Sequence, residues 1–199
     1  MNVWANHVNF CLGQIGMSEK SNEIPAVQEL LEILNLKGAV VTADAMHCQK
    51  KTAKKIIDCA ADYVLQVKNN LPTLMNTIAQ IFAEHEATGF VAQSVRCCMT
   101  SERNRTRKES RTCMVCPARP RYESSGPALN LLGEWTVSEF STMARYKPKR
   151  RIFISSLPPL VRRHARHLRE HGSIENTLHH TLDVTFAKDS GRIRIRLRR

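Results

Sequence analysis

No arginine occurs in the first 95 of the 199 residues, and no apolar run approaches the roughly 18 residues that a membrane span requires. The opening residues Met1-Asn2-Val3-Trp4-Ala5-Asn6 lack the basic start and apolar middle of a secretory signal. Internal repeats and low-complexity tracts are absent as well. The seven cysteines are an odd number set among helix-like patterns, which argues against a framework of disulfides. These absences speak against a membrane-embedded or exported protein, and a place in the reducing cytoplasm is expected. The remaining composition, 42% hydrophobic and 24% charged, is that of a globular chain with a core.

Charge is divided unevenly along the chain. Residues 1–89 carry seven lysines against nine acids, a net −2, whereas residues 90–199 carry 23 basic against nine acidic groups, a net +14. Arginine forks match phosphate oxygens bidentately, so an arginine-biased half points to a polyanion partner. A solvated surface or a basic tail would show the same bias.

Residues 1–84 read as alternating strands and helices. Phe10–Ile15 forms a strand candidate, and a helix follows with Ser21 or Asn22 as its cap and Ile24, Val27, Leu30, Leu31 and Leu34 at helical spacing. Lys37-Gly38 ends it. Ala39–Ala43 is a short continuous apolar run, as in a central strand buried on both faces, and Asp44 follows directly. A helix over about 49–61, a strand over 63–67 and a helix over 71–84 complete an α/β pattern with parallel strands. Residues 85–157 lose that rhythm and read as an irregular β-rich insertion, with strand candidates at 90–95, 110–115 and 151–155. Residues 158–199 return to a helix over 159–182 and end in a basic tail that alternates cationic and aliphatic residues.

Two acids stand out. Asp44 sits just past a strand's carboxyl end, where ligands gather in open parallel sheets; a turn or helix cap is the plainer alternative. Glu175 shares one helix face with His171 and His179, which are spaced four residues to either side. That face reads either as a metal-binding one or as a solvent stripe. Cys97, Cys98, Cys113 and Cys116 supply four thiols within about twenty residues, which a tetrahedral zinc would need, although the adjacent pair is awkward for one ion. Cys11, Cys48 and Cys59 read as small buried residues.

Several strings, in order along nearly the whole chain, resemble the H-repeat-associated proteins, a family of bacterial insertion-sequence transposases in the DDE superfamily. They are Leu12-Gly13-Gln14, Glu19–Pro25, Leu34–Gly38, Val41–Lys50, Asp62–Leu65 with Lys68-Asn69-Asn70, Ile154–Leu157, and Ile174–His179 running on into Leu182–Phe186. The resemblance is weakest over about 85–150. It implies an RNase H-like fold, a parallel or mixed sheet flanked by helices with a strand-rich insert, in which three carboxylates hold two divalent ions, Mg²⁺ or Mn²⁺. Such a cluster suits in-line phosphoryl displacement, because two metals serve the attacking and the leaving oxygens together. By this resemblance Asp44 is the second acid and Glu175 the last, Asn176 and His179 support the glutamate, and His171 approaches the phosphates. Double-stranded DNA at insertion-sequence ends is the implied partner, and a homodimer is open. Arg105, Arg107, Arg162, Arg163, Arg166, Arg169, Arg192 and Arg194 are the candidate DNA contacts.

The chain also departs from the family. The Asp-Gly-Lys-like string that carries the first aspartate on the opening strand is absent, so that strand is expected to be missing. The family's His-Trp-Gly-Ile-Glu-Asn reads His171-Gly172-Ser173-Ile174-Glu175-Asn176 here, and His180 stands where the family has tryptophan. The expectation is an N-terminally truncated, inactive copy of a DDE-type transposase. A non-catalytic DNA-binding remnant and a zinc-stabilised interaction protein are the alternatives.

Overall fold

β-Branched and aromatic residues at Val40–Ala43 and Asp62–Val67 form two parallel strands, joined in register from Val40 opposite Asp62 to Ala43 opposite Leu65. The computed structural model describes residues 2–8, 10–15, 23–88, 95–104, 107–118, 128–141 and 147–174. A hairpin comes first: β1 (Asn2–Ala5) pairs antiparallel with β2 (Phe10–Gln14) as a two-stranded sheet. Helix α1 (Glu23–Ile33) leads through Gly38, whose φ of +74° suits a residue without a side chain, into β3 (Val40–Ala43). A 3-10 turn (Ala45–His47), α2 (Lys50–Asp58), β4 (Asp62–Val67) and α3 (Pro72–Ala87) follow. Then come β5 (Arg96–Asn104), β6 (Arg107–Pro117), β7 (Leu131–Ser141), β8 (Lys149–Ser155) and α4 (Val161–Ile174).

The main sheet has six strands in the order β3-β4-β8-β7-β6-β5, parallel between β3 and β4 and antiparallel elsewhere. It is the mixed α/β sheet flanked by helices that the sequence led us to expect. Two details differ. The β-rich stretch is a regular meander of long strands that continues the same sheet, because β8 pairs with β4. Among the described residues β3 is an edge strand and only half-buried, not central, because β8 takes the far side of β4.

Side chains alternate across the sheet and build two cores. On one face Val27, Leu31, Ile56, Tyr63, Leu65, Ile78 and Phe82 join Met114, Leu132 and Ile154 under α1, α2 and α3. On the other Val64, Cys113, Val115, Leu131, Trp135 and Phe153 pack against Val161, Ala165 and Leu168 of α4. Ser155 and Ser156 steer the chain off β8 towards that helix. The Ser155 hydroxyl donates to the Tyr63 carbonyl at 2.8 Å and accepts from the Leu157 N–H at 3.0 Å. The Ser156 hydroxyl accepts from the Tyr63 N–H at 2.9 Å and donates to Asp62 at 2.7 Å. Both links tie the start of β4 to the end of β8, and the chain then enters α4, which packs on the sheet face opposite α1 to α3. Among the described residues no helix is long and apolar enough to cross a membrane.

Candidate active site

Alternation along β3 sets the site. Val41 and Ala43 face the core of α1 to α3, which turns Val40 and Thr42 towards α4, and Asp44 lies just beyond the strand's carboxyl end. Asp44 occupies the N-cap position of the 3-10 turn, yet its side chain makes no capping hydrogen bond. The turn uses only its carbonyl, which accepts from the His47 N–H at 3.0 Å. The carboxylate is therefore not engaged as a cap, and 61% of the side chain is exposed.

What Asp44 faces instead is α4. His171, in the last turn of that helix, brings Nε2 to 3.6 Å from Asp44 Oδ1, and its Nδ1 lies 3.1 Å from the Thr42 hydroxyl, 129 residues away in sequence. One tautomer satisfies both contacts: Nδ1 accepts from the Thr42 hydroxyl, and the Nε2 proton points at the carboxylate. His171 is the largest influence holding the Asp44 carboxyl below its ordinary pKa; Lys68 and His47 add to it, and together they outweigh partial burial. Asp44 thus presents an ionised, accessible carboxylate at a strand end. Asn70 steadies the floor of the site by donating to the Ala45 carbonyl at 2.6 Å.

An ionised carboxylate is the donor that a hard divalent cation takes, so Asp44 fits the implied metal as one ligand. Among the described residues no group of three His, Cys, Asp or Glu side chains converges on one point. Glu175, Asn176 and His179 lie outside the described residues, as do Arg105, Arg192 and Arg194; Arg107 begins β6, and its side chain is not described. Arg162, Arg163, Arg166 and Arg169 are exposed along α4. Two of them meet acids: Arg169 reaches Glu102 at 2.5 Å, and Arg166 reaches Glu170 at 3.8 Å.

The four clustered cysteines do not form a zinc site. Cys98 faces Cys113 across the β5–β6 ladder on the α4 side, whereas Cys97 opposite Met114, and Cys116, belong to the other face. Neighbours along a strand point to opposite faces, which the sequence spacing did not reveal. Sequence reading also missed His164 and His167 of α4. Both are buried, and His164 stacks on Phe153 with ring centroids 5.9 Å apart. Their spacing from Val161 and Leu168 was the available signal.

The chain matches the family model for the transposase DDE domain over residues 4–198. It is 32% identical over 205 residues to the putative transposase YncI of Escherichia coli O157:H7, covering 98% of this chain and 50% of that protein. It is 33% identical over 195 residues to the H repeat-associated putative transposase YhhI of Escherichia coli K12, covering 92% and 49%. The chain thus spans about half the length of the curated relatives it matches. No solved structure matches it.

Proposed function

Because the chain belongs to the transposase DDE domain family, we propose that it is a transposase polypeptide whose Asp44 and Glu175 serve phosphoryl transfer at insertion-sequence ends. The apposition of His171 and Asp44 supports this reading most. It joins the strand-end acid to the helix that leads, four residues further on, to Glu175. Asp44 and Glu175 would hold Mg²⁺ or Mn²⁺, which lowers the pKa of an attacking water or 3′-hydroxyl and stabilises the charge that develops on the phosphoryl group. His171 orients the Asp44 carboxylate through its Nε2 proton and is itself fixed by Thr42. Asn176 and His179 are assigned to Glu175 as supports. The candidate arginines are assigned to the DNA backbone, which they position without reading bases.

The first acid of the family pattern is absent from these 199 residues. Two carboxylates neutralise two divalent ions less well than three, and losses within such a unit are strongly non-additive. The 199-residue polypeptide is therefore expected to bind duplex DNA without transferring strands. Backbone binding needs many dispersed cations rather than a complete acid cluster. With about six phosphates neutralised, log K should fall with log salt at a slope of roughly −5. The test is a labelled duplex carrying element ends, scored for binding across a salt series and for cleavage with Mg²⁺ or Mn²⁺. Salt-dependent binding with no cleaved product is the expected result. Cleavage that Glu175→Gln abolishes would overturn the inactivity, and no binding even at low salt would overturn the DNA-directed function.

A further inference from the structure

The basic start of β8 divides its charge between the two faces of the sheet. Arg150 turns towards α3, where its Nε and Nη2 each lie 2.8 Å from the buried Glu134 carboxylate and Glu86 stands 3.6 Å away. Glu134 also accepts from the Thr136 hydroxyl at 3.1 Å. Arg150 is thus neutralised and structural. Arg151 points the opposite way, onto the α4 face, in register with Trp135. It is exposed and lines the narrow cleft that also holds Thr42, Gln66 and His171. Among the described residues its guanidinium has no carboxylate or carbonyl partner. An exposed guanidinium fork that borders the same cleft as His171, itself 3.6 Å from Asp44, is placed to meet an anion that approaches this end of the sheet.

We propose that Arg151 is a phosphate-binding residue of the site, gripping the DNA phosphate that lies against Asp44 and His171. This rests on the reading of the chain as a DNA-directed transposase polypeptide, and it adds a contact that stands apart from the arginines along α4. Asp44 by itself would repel a phosphodiester. Arg151, which borders the same cleft as His171, supplies the opposite charge and the N–H donors that let a phosphate approach. Val64, Trp135, Phe153 and Leu168 make the floor of that cleft apolar, so the phosphate meets Arg151 at its rim.

The experiment measures duplex DNA binding by fluorescence anisotropy over a salt series for the full chain and for Arg151→Gln, Arg151→Lys and Lys51→Gln, with a thermal melt of each. Lys51 is an exposed α2 residue in the acidic half, so its variant removes one positive charge away from the site. Arg151→Gln should weaken binding about 5- to 10-fold near 0.1 M salt and make the salt slope shallower by about 0.9, the share of one phosphate. Arg151→Lys should recover only part of the loss, because a point charge cannot grip bidentately. Lys51→Gln should change neither value. If Arg151→Gln behaves like Lys51→Gln while the parent chain binds DNA, the inference falls and the DNA-directed reading stands. If the parent chain does not bind DNA, both fall. If Arg151→Gln lowers the melting temperature while Lys51→Gln does not, Arg151 is structural and the inference is overturned.

Discussion

At the residue scale, α4 buries two histidines, His164 and His167. His164 is fully buried; its Nδ1–H donates to the Leu160 carbonyl at 3.1 Å, and no hydrogen-bond partner meets its Nε2 among the described residues. Burial is the largest cause pushing its pKa below the ordinary histidine value, and the same holds for His167. The sign follows from linkage. The unfolded chain takes up a proton near pH 6.5 while the folded ring stays neutral, so stability present above that pH is lost as pH falls towards the lowered folded value. Each such histidine costs up to about 1.4 kcal/mol per pH unit in that window. Thermal melts between pH 7.5 and 5.5 should fall steadily for the parent chain and flatten for His164→Phe, which keeps the stack on Phe153. An unchanged pH dependence in His164→Phe would contradict the assignment. Asp44 was legible from the sequence because a short apolar run ends on it. Its contact with His171 was not, because it depends on how a helix from the far end of the chain packs.

At the element scale, legibility tracks periodicity. Strands 40–43 and 62–67 and helices 50–58 and 72–87 carry their period in the sequence, and all four form close to where it places them. The meander was harder to read. β5 runs through Ser101-Glu102-Arg103-Asn104, polar on both faces, and owes its strand form to nine ladder pairs with β6 rather than to any apolar alternation. In β7 the break in pattern is Gly133, and the structure supplies its reason. A Cβ there would lie 2.1 Å from the Phe153 ring, which is itself fully buried between the sheet and His164. Gly133→Ala should therefore cost about 3 kcal/mol by overpacking and lower the melting temperature by roughly 5–10 °C. Gly172 meets nothing within 4 Å, so Gly172→Ala in α4 should instead stabilise by about 0.5–1 kcal/mol. Calorimetric melts of the two variants should move in opposite directions; a neutral Gly133→Ala would contradict the packing described for Phe153.

At the scale of the whole molecule, the acidic and basic halves of the sequence meet at one place. The near-neutral half provides β3 and Asp44, and the arginine-rich half provides α4, β8, His171 and Arg151. Parallel pairing of β3 with β4 and antiparallel pairing of β4 with β8 bring the two halves into one sheet, so His171 reaches Asp44 and borders one cleft with Arg151. The motif series along the sequence is what disclosed the family, and the fold explains why its scattered strings matter. The Ser155-Ser156 pair ties β8 to β4 and aims the chain into α4, which brings His171 over Thr42 and Asp44. In the proposed function Asp44 and Glu175 form one divalent-cation site. Its most direct test is a Mn²⁺ titration of the labelled full chain followed by amide NMR, since the paramagnetic ion broadens signals near where it binds even when binding is weak. Saturable broadening confined to the neighbourhood of Thr42–Ala45 and His171 is expected, abolished by Asp44→Asn and strongly reduced by Glu175→Gln, with the melts of both variants intact. Uniform broadening, or local broadening that survives Asp44→Asn or is untouched by Glu175→Gln, would contradict it.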